Sequence, residues 1–228
     1  MPLRRFGTVL FLLSHSVALP QNVTVQDGSI VYHDRDGATH RITESGRNSE
    51  PTLSADGQRV VFVRALGAAP GVGVPEIVVT EVWIASVRPP STPRRAYRGA
   101  MTMPNGSRSE AFWTPRFSPD NRYVYFLSDF SATSNALCRL DLATGTARFL
   151  TPGVTDYAVL NSGRWQGFLI VSVRSLSEPD TDGIRFPIYP YYLLNAEGRI
   201  LTRVANEDAK LEQVVEKHLH GNVAGDRH

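Results

Sequence analysis

The chain of 228 residues carries one cysteine, Cys138, so no disulfide can form within it. A lone thiol in the alternating segment Ala136-Leu137-Cys138-Arg139-Leu140 reads as a small core hydrophobe, and no histidine stands near it in a pattern that would activate a nucleophile. No apolar run beyond the first residues approaches the roughly 18 residues of a membrane-spanning helix. Charge of one sign is lacking as well: 24 Lys and Arg against 22 Asp and Glu leave a net charge of +2. The arginines are scattered singly between apolar segments, which argues against a nucleic-acid partner. There is no Gly-x-Ser-x-Gly motif, which excludes the nucleophile elbow of an α/β-hydrolase. Metal-binding patterns are equally thin. His218 and His220 are two apart, a spacing that splays two rings by about 200 degrees on a helix. Asp180-Thr181-Asp182-Gly183 opens like a calcium loop but lacks its third acidic position and its distal glutamate, and reads as a turn. No catalytic residue, metal or cofactor is expected.

What is present is enough apolar content, 42% of residues, to bury a core. Residues 1–18 read as a secretory signal: Arg4-Arg5, the short apolar run from Phe6 to Leu13, and the small residues Ser16 and Ala18 before a cut that leaves Leu19 first. The surroundings of Arg4-Arg5 fit a twin-arginine signal poorly, so general secretory export is expected. The mature protein is then periplasmic or secreted. Asn22-Val23-Thr24 and Asn105-Gly106-Ser107 are glycosylation sequons that matter only in a eukaryotic secretory route.

The stretch that orders the rest is Pro115-Arg116-Phe117-Ser118-Pro119-Asp120-Asn121-Arg122-Tyr123-Val124-Tyr125-Phe126. Its β-favouring flanks and Ser-Pro-Asp-Asn centre predict a hairpin, with φ preset by Pro119, Asp120 bonded to local backbone and Asn121 tolerating a left-handed conformation. Pro51-Thr52-Leu53-Ser54-Ala55-Asp56-Gly57-Gln58-Arg59-Val60-Val61-Phe62 repeats the pattern 64 positions earlier, with Pro, Ser, Asp, Val and Phe in register. A hairpin repeated along one chain and followed by further strands marks a radial repeat architecture.

This Pro-x-[Leu/Phe]-Ser-[Ala/Pro]-Asp-[Gly/Asn] pattern resembles the WD40-like (PD40) repeat of the TolB-type β-propellers. In that family blades end in Leu-Thr or Ile-Thr, and this chain has Ile42-Thr43, Leu150-Thr151 and Leu201-Thr202. The resemblance implies an all-β fold, an incomplete β-propeller of about three to four four-stranded blades over residues 19–204. A short amphipathic α-helix and tail then occupy 205–228, with Asn206 as the expected N-cap.

Along the chain, residues 29–43 predict two strands around Asp34-Arg35-Asp36-Gly37. A first complete blade runs from Pro51 to Arg98, interrupted by an Ala-, Gly- and Pro-rich loop over 65–75. A second runs from Phe112 to Thr151. A degenerate third runs from Tyr157 to Thr202, with Phe117 and Leu160 spaced by 43 positions, within the roughly 40 to 45 residues of a blade. Three blades and half of another fall short of the four to eight that close a ring, so the exposed edges are expected to be covered by the helix, by a second copy or by another propeller protein.

Two function classes follow from the resemblance. One is an exported, non-enzymatic protein-binding module of the cell envelope; the other is a metal-dependent hydrolase or lyase, or a carbohydrate-binding propeller. His33 and His40, both in the first hairpin, are the only histidines among the expected blades, which weakens the metal enzyme. For partner binding the candidates are Trp113, Tyr189, Tyr191 and Tyr192, because Pro190 predicts a sheet edge with its flanking aromatics free. The other aromatics are expected to pack between blades.

Overall fold

The structure, a computed structural model, describes residues 20–44, 46–68, 78–131, 134–206 and 209–220. The expected signal over 1–18 with Leu19, much of the 65–75 insertion, and Glu207 and Asp208 lie outside the described residues.

The first sheet holds β1 (Asn22–Gln26), β2 (Ser29–His33) and β3 (Thr39–Arg41) in that order. The sequence reading placed only β2 and β3 here. β1 joins β2 through Asp27-Gly28, both at positive φ (50° and 71°), the two-residue turn that best suits strand twist. Gly28 is required there, because a Cβ would stand 2.2 Å from the Gly46 carbonyl oxygen.

A four-stranded antiparallel blade follows, of β4 (Asn48–Leu53), β5 (Arg59–Ala68), β6 (Val78–Ser86) and β7 (Arg94–Tyr97). Residues 65–68, expected in the loop, extend β5, with Ala65 paired to Thr80 and Ala68 to Val78. A small ribbon of β8 (Met101–Thr102) and β9 (Arg108–Ser109) leads to the next blade. That blade contains β10 (Phe112–Phe117), β11 (Tyr123–Ser131), β12 (Ser134–Asp141) and the first half of β13 (Thr146–Val159).

β13 serves two blades. Its first half pairs with β12, Leu137 opposite Thr151, as an outermost strand. Beyond Gly153, at φ 76°, its second half pairs with β14 (Leu169–Val173), Val159 opposite Leu169, as the innermost strand of the third complete blade. The ribbon β15 (Ser175–Leu176) and β16 (Pro187–Ile188) projects from that blade, and β17 (Tyr191–Leu194) and β18 (Ile200–Ala205) complete it. Hydrogen bonding therefore joins the two blades into one seven-stranded sheet. The architecture is an incomplete β-propeller: three four-stranded blades, preceded by a three-stranded sheet among the described residues.

Strand alternation explains how the blades stack. Val60 and Phe62 pack on Ile30 and Tyr32 of the first sheet, while Val61 between them packs on Phe112 and Phe126 of the next blade. Val124 and Phe126 face backward; Tyr125 and Leu127 face forward onto Tyr157, Leu169 and Val171. Each central strand is buried on both sides, which is why it reads as a continuous apolar run. The same logic leaves Leu160, Ile170, Tyr191 and Leu193 on the far side of the last blade, where a following blade would pack. Helix α1 (Leu211–His220) lies there instead, with Val214 only 5% exposed. The helix thus packs on a blade, as its apolar stripe predicts. It starts later than expected: Asn206 is not its N-cap but accepts from the Ala209 N–H one turn before the helix. A second copy completing the ring on this side would have to displace α1. No helix among the described residues is long and apolar enough to cross a membrane.

Candidate functional site

Each blade is an antiparallel meander, so the turns after its first and third strands emerge at one end, here termed the lower face. The repeated turns meet there. In Ser54-Ala55-Asp56-Gly57 and in Ser118-Pro119-Asp120-Asn121 the fourth N–H donates to the first carbonyl at 2.9 Å, and the fourth residue takes positive φ, 67° at Gly57 and 58° at Asn121. Asp56 Oδ1 accepts from Ser54 Oγ (2.6 Å) and the Gln58 N–H (3.0 Å); Asp120 Oδ1 accepts from Ser118 Oγ (2.5 Å) and the Arg122 N–H (3.1 Å). The Ser54 hydroxyl and Gln58 N–H hold the Asp56 carboxyl below the usual carboxylate range. At Asp120 burial pushes upward, but the Ser118 hydroxyl and Arg122 N–H outweigh it and the net shift is also downward. Adjacent turns are bolted together, Asn121 Nδ2 donating to Asp56 Oδ2 at 2.8 Å and Arg59 Nη2 to the Asn121 carbonyl at 3.2 Å.

Two clefts flank this bolt. The larger, about 480 Å³, lies between the first sheet and the first complete blade, where Tyr32, Asp34, His40, Asp56 and Arg88 line it. Its side chains are mutually engaged: His40 Nε2 sits 3.3 Å from Asp34 Oδ2, and Gln21 Nε2 donates to Tyr32 Oη at 2.7 Å. The second cleft, about 370 Å³, opens between the second and third complete blades and is lined by Ser118, Pro119, Asp120, Tyr123 and Tyr125 on one side and Gln166, Gly167 and Ala196 on the other. Tyr125 forms its floor. The residue is fully buried, and its hydroxyl oxygen lies beside the Arg139 guanidinium while its proton meets no acceptor. Burial pushes that phenol up to about 12 against the opposing charge and hydrogen bond of Arg139, so it stays protonated. Arg139, itself buried, lays its guanidinium 4.1 Å from the Tyr123 ring centre and donates through Nη1 to the Ala196 carbonyl at 2.6 Å, tying the two walls together.

The innermost strands carry a second irregularity. Glu50 and Thr114, each preceding the Pro of the repeat, sit at φ 53° and 47° where the β4–β5 and β10–β11 ladders skip register. The Glu50 carboxylate accepts from the Thr114 N–H, and Tyr157 Oη donates to the carbonyls of Thr114 and Tyr125, so three innermost strands are linked.

The residues singled out from sequence are dispersed. Trp113 and Tyr192 both pack, half-buried, against the core between the second and third blades; Tyr191 is buried in the core under α1; Tyr189 is 38% exposed beside the β15–β16 ribbon. Pro190 stands ahead of β17, and β17 lies between β14 and β18, so the edge inferred from that proline is not one. His33 contacts Thr24 and Thr39 hydroxyls, at 3.1 Å and 3.3 Å. Among the described residues no group of three or more His, Cys, Asp and Glu side chains could hold a metal ion. Asp180 Oδ1 accepts from the Asp182 and Ile184 N–H groups, the turn that its sequence predicts. Cys138 is fully buried, and burial pushes its thiol up to about 12, as suits a core residue. Tyr125 went unremarked in the sequence because its neighbours in the repeat mark it only as a strand residue; the cleft forms where a distant turn, at Gln166 and Gly167, comes alongside.

No family model matches the chain, and no curated protein matches it in sequence. Solved structures do. The β-propeller domain of the Trilobed protease from Pyrococcus furiosus is 13% identical, with 78% of this chain aligned to 49% of that one and a TM-score of 0.49. An oligogalacturonate lyase in complex with manganese is 15% identical over 84% of this chain and 46% of that one, with a TM-score of 0.49. An acylaminoacyl peptidase from Pyrococcus horikoshii is 12% identical over 82% and 30%, with a TM-score of 0.48. The chain spans about half or less of the length of these structures. They correct one expectation: the similar solved proteins are enzymes, so the expectation that this protein is not an enzyme is withdrawn. The fold itself is that of a β-propeller, seen in the chain's own blades.

Proposed function

We propose that the chain is an exported TolB-like propeller module, periplasmic or secreted, that docks another protein of that compartment on its lower face. One observation carries the reading. The Asp56–Asn121 and Arg59–Asn121 hydrogen bonds lock adjacent turns into a rigid platform with a cleft on either side, and rigidly held loops suit recognition. The PD40-like turn pattern and the signal-like residues 1–18 support the family and the compartment.

A photo-crosslinking residue tests the docking face. Placed at Gln58 or Pro119 and expressed in the native host, it should give discrete protein adducts, whereas Ser131 at the opposite end should give none. Adducts from Ser131 alone would overturn the proposal. N-terminal sequencing tests export: the mature chain should begin at Leu19, and a retained Met1 would refute it.

A further inference from the structure

The third complete blade carries most of the large apolar side chains that the fold leaves uncovered. Six of the nine such residues exposed among the described residues are on it, four around the β15–β16 ribbon and two at the start of β18. From these two surfaces we propose that the chain forms a two-fold dimer through the outer edge of that blade, the ribbon of each copy seated on β18 of the other. The contact goes beyond the lower-face reading and does not depend on it. The ribbon is braced by its own hydrogen bonds: the Ser177 N–H donates to the Phe186 carbonyl at 2.8 Å, and the Phe186 N–H donates to Ser177 Oγ at 3.0 Å. Yet Leu176 and Phe186 are each 54% exposed and Ile184 52%, with Tyr189 beside them, so an ordered element holds out apolar side chains that its own chain does not cover.

Charge selects the occupant. Beyond its apolar stem the ribbon turns through Glu178, Asp180 and Asp182, all exposed, against the single cation Arg185. A lipid surface would have to receive those three carboxylates at the leading end, which is costly. A protein surface with apolar side chains beside cations suits the ribbon, and the same blade presents one. β18 is the last strand of the seven-stranded sheet, with no strand on its outer side among the described residues. Ile200 and Leu201 are exposed there, flanked in sequence by the exposed Arg199 and Arg203. Leu201 is an extra residue in the ladder, since Thr202 faces Leu193 and Ile200 faces Leu194. Glu197 already meets Arg139 at 3.6 Å, so it does not cancel these arginines. The two surfaces lie at opposite ends of the blade: the ribbon leaves the end remote from the lower face, while β18 begins beside that face, after β17 has ended there. A two-fold axis normal to the sheet at its outer edge turns one copy end for end, so ribbon meets β18 twice and the assembly closes.

Sedimentation velocity on the purified full chain, from about 1 to about 200 μM, tests the dimer in the concentration range of a small interface. The mass should rise from one chain to two. Phe186→Ser and Leu201→Ser, both at exposed positions, should keep the parent's circular dichroism and weaken association by at least about tenfold, because each change enters the interface twice. Asp182→Arg and Arg199→Glu should each sediment as single chains, and an equimolar mixture of the two should recover the dimer, since each ribbon then faces a β18 of opposite charge. No role confined to folding would give that recovery. A mass of one chain throughout, undiminished association in Phe186→Ser, or a mixture that stays monomeric would overturn the proposal. A one-chain mass together with co-flotation on phosphatidylcholine vesicles would give the ribbon to lipid instead.

Discussion

Tyr125 and Tyr157 offer the same chemical change with opposite expected signs. Both rings are fully buried and both belong to the core between the second and third blades. Tyr157 Oη lies 2.5 Å from the Thr114 carbonyl and 2.9 Å from the Tyr125 carbonyl, whereas Tyr125 Oη lies beside Arg139 and finds no acceptor for its proton. Tyr157→Phe loses a net hydrogen bond and leaves the Thr114 carbonyl, in the stretch that the β10–β11 ladder skips, without that donor. Together these cost about 2 kcal/mol, or a fall in Tm of roughly 4–8 °C for a chain of this size. Tyr125→Phe removes a buried hydroxyl whose proton meets no acceptor, so stability should stay level or rise by up to about 1 kcal/mol. Urea unfolding followed by tryptophan fluorescence decides it, with unchanged m-values showing that only stability moved. Tyr125→Phe as destabilising as Tyr157→Phe would mean that the Tyr125 hydroxyl is already satisfied.

Asp56→Ala and Asp120→Ala should each lower stability by about 1 kcal/mol through lost turn hydrogen bonds. Because both carboxyls are depressed in the fold, their contribution is complete above about pH 4 and fades as pH falls through their lower folded values, so acid titration should converge wild type and variants. Gly198→Ala should cost about 2 kcal/mol, since the residue sits at φ 86° with a Cβ position 2.7 Å from Leu150 Cβ, and thermal melts will show it. Val214→Asp should lift α1 off Leu160, Ile170 and Leu193 and produce dye binding to exposed apolar surface while the β circular dichroism persists; an unaltered dye signal would mean that α1 is not the cover.

The repeated turns were legible because their chemistry is local: Pro, Asp and a left-handed Asn or Gly specify a hairpin whatever surrounds it, and the Ser118–Asn121 geometry followed. The apolar, β-favouring runs that follow those turns likewise announced the central strands of the blades. Asp27-Gly28 shows that more was available, since that dipeptide is itself a hairpin signal and would have revealed β1. Other features depend on neighbours far along the chain. Glu81, an acidic residue in β6 that no sequence signal singles out, is 2% exposed, accepting from Trp83 Nε1 at 2.8 Å and pairing with Arg95 at 3.2 Å. Nothing local distinguishes Tyr125 from Tyr157, or marks Pro190 as preceding an interior strand. Local torsional preference and side-chain period determined the turns, the strands and the propeller. Only the stacking of blades decided which hydroxyl found a carbonyl, which carboxylate was buried and where a cleft remained, because those outcomes depend on which surfaces are brought into contact and excluded from water.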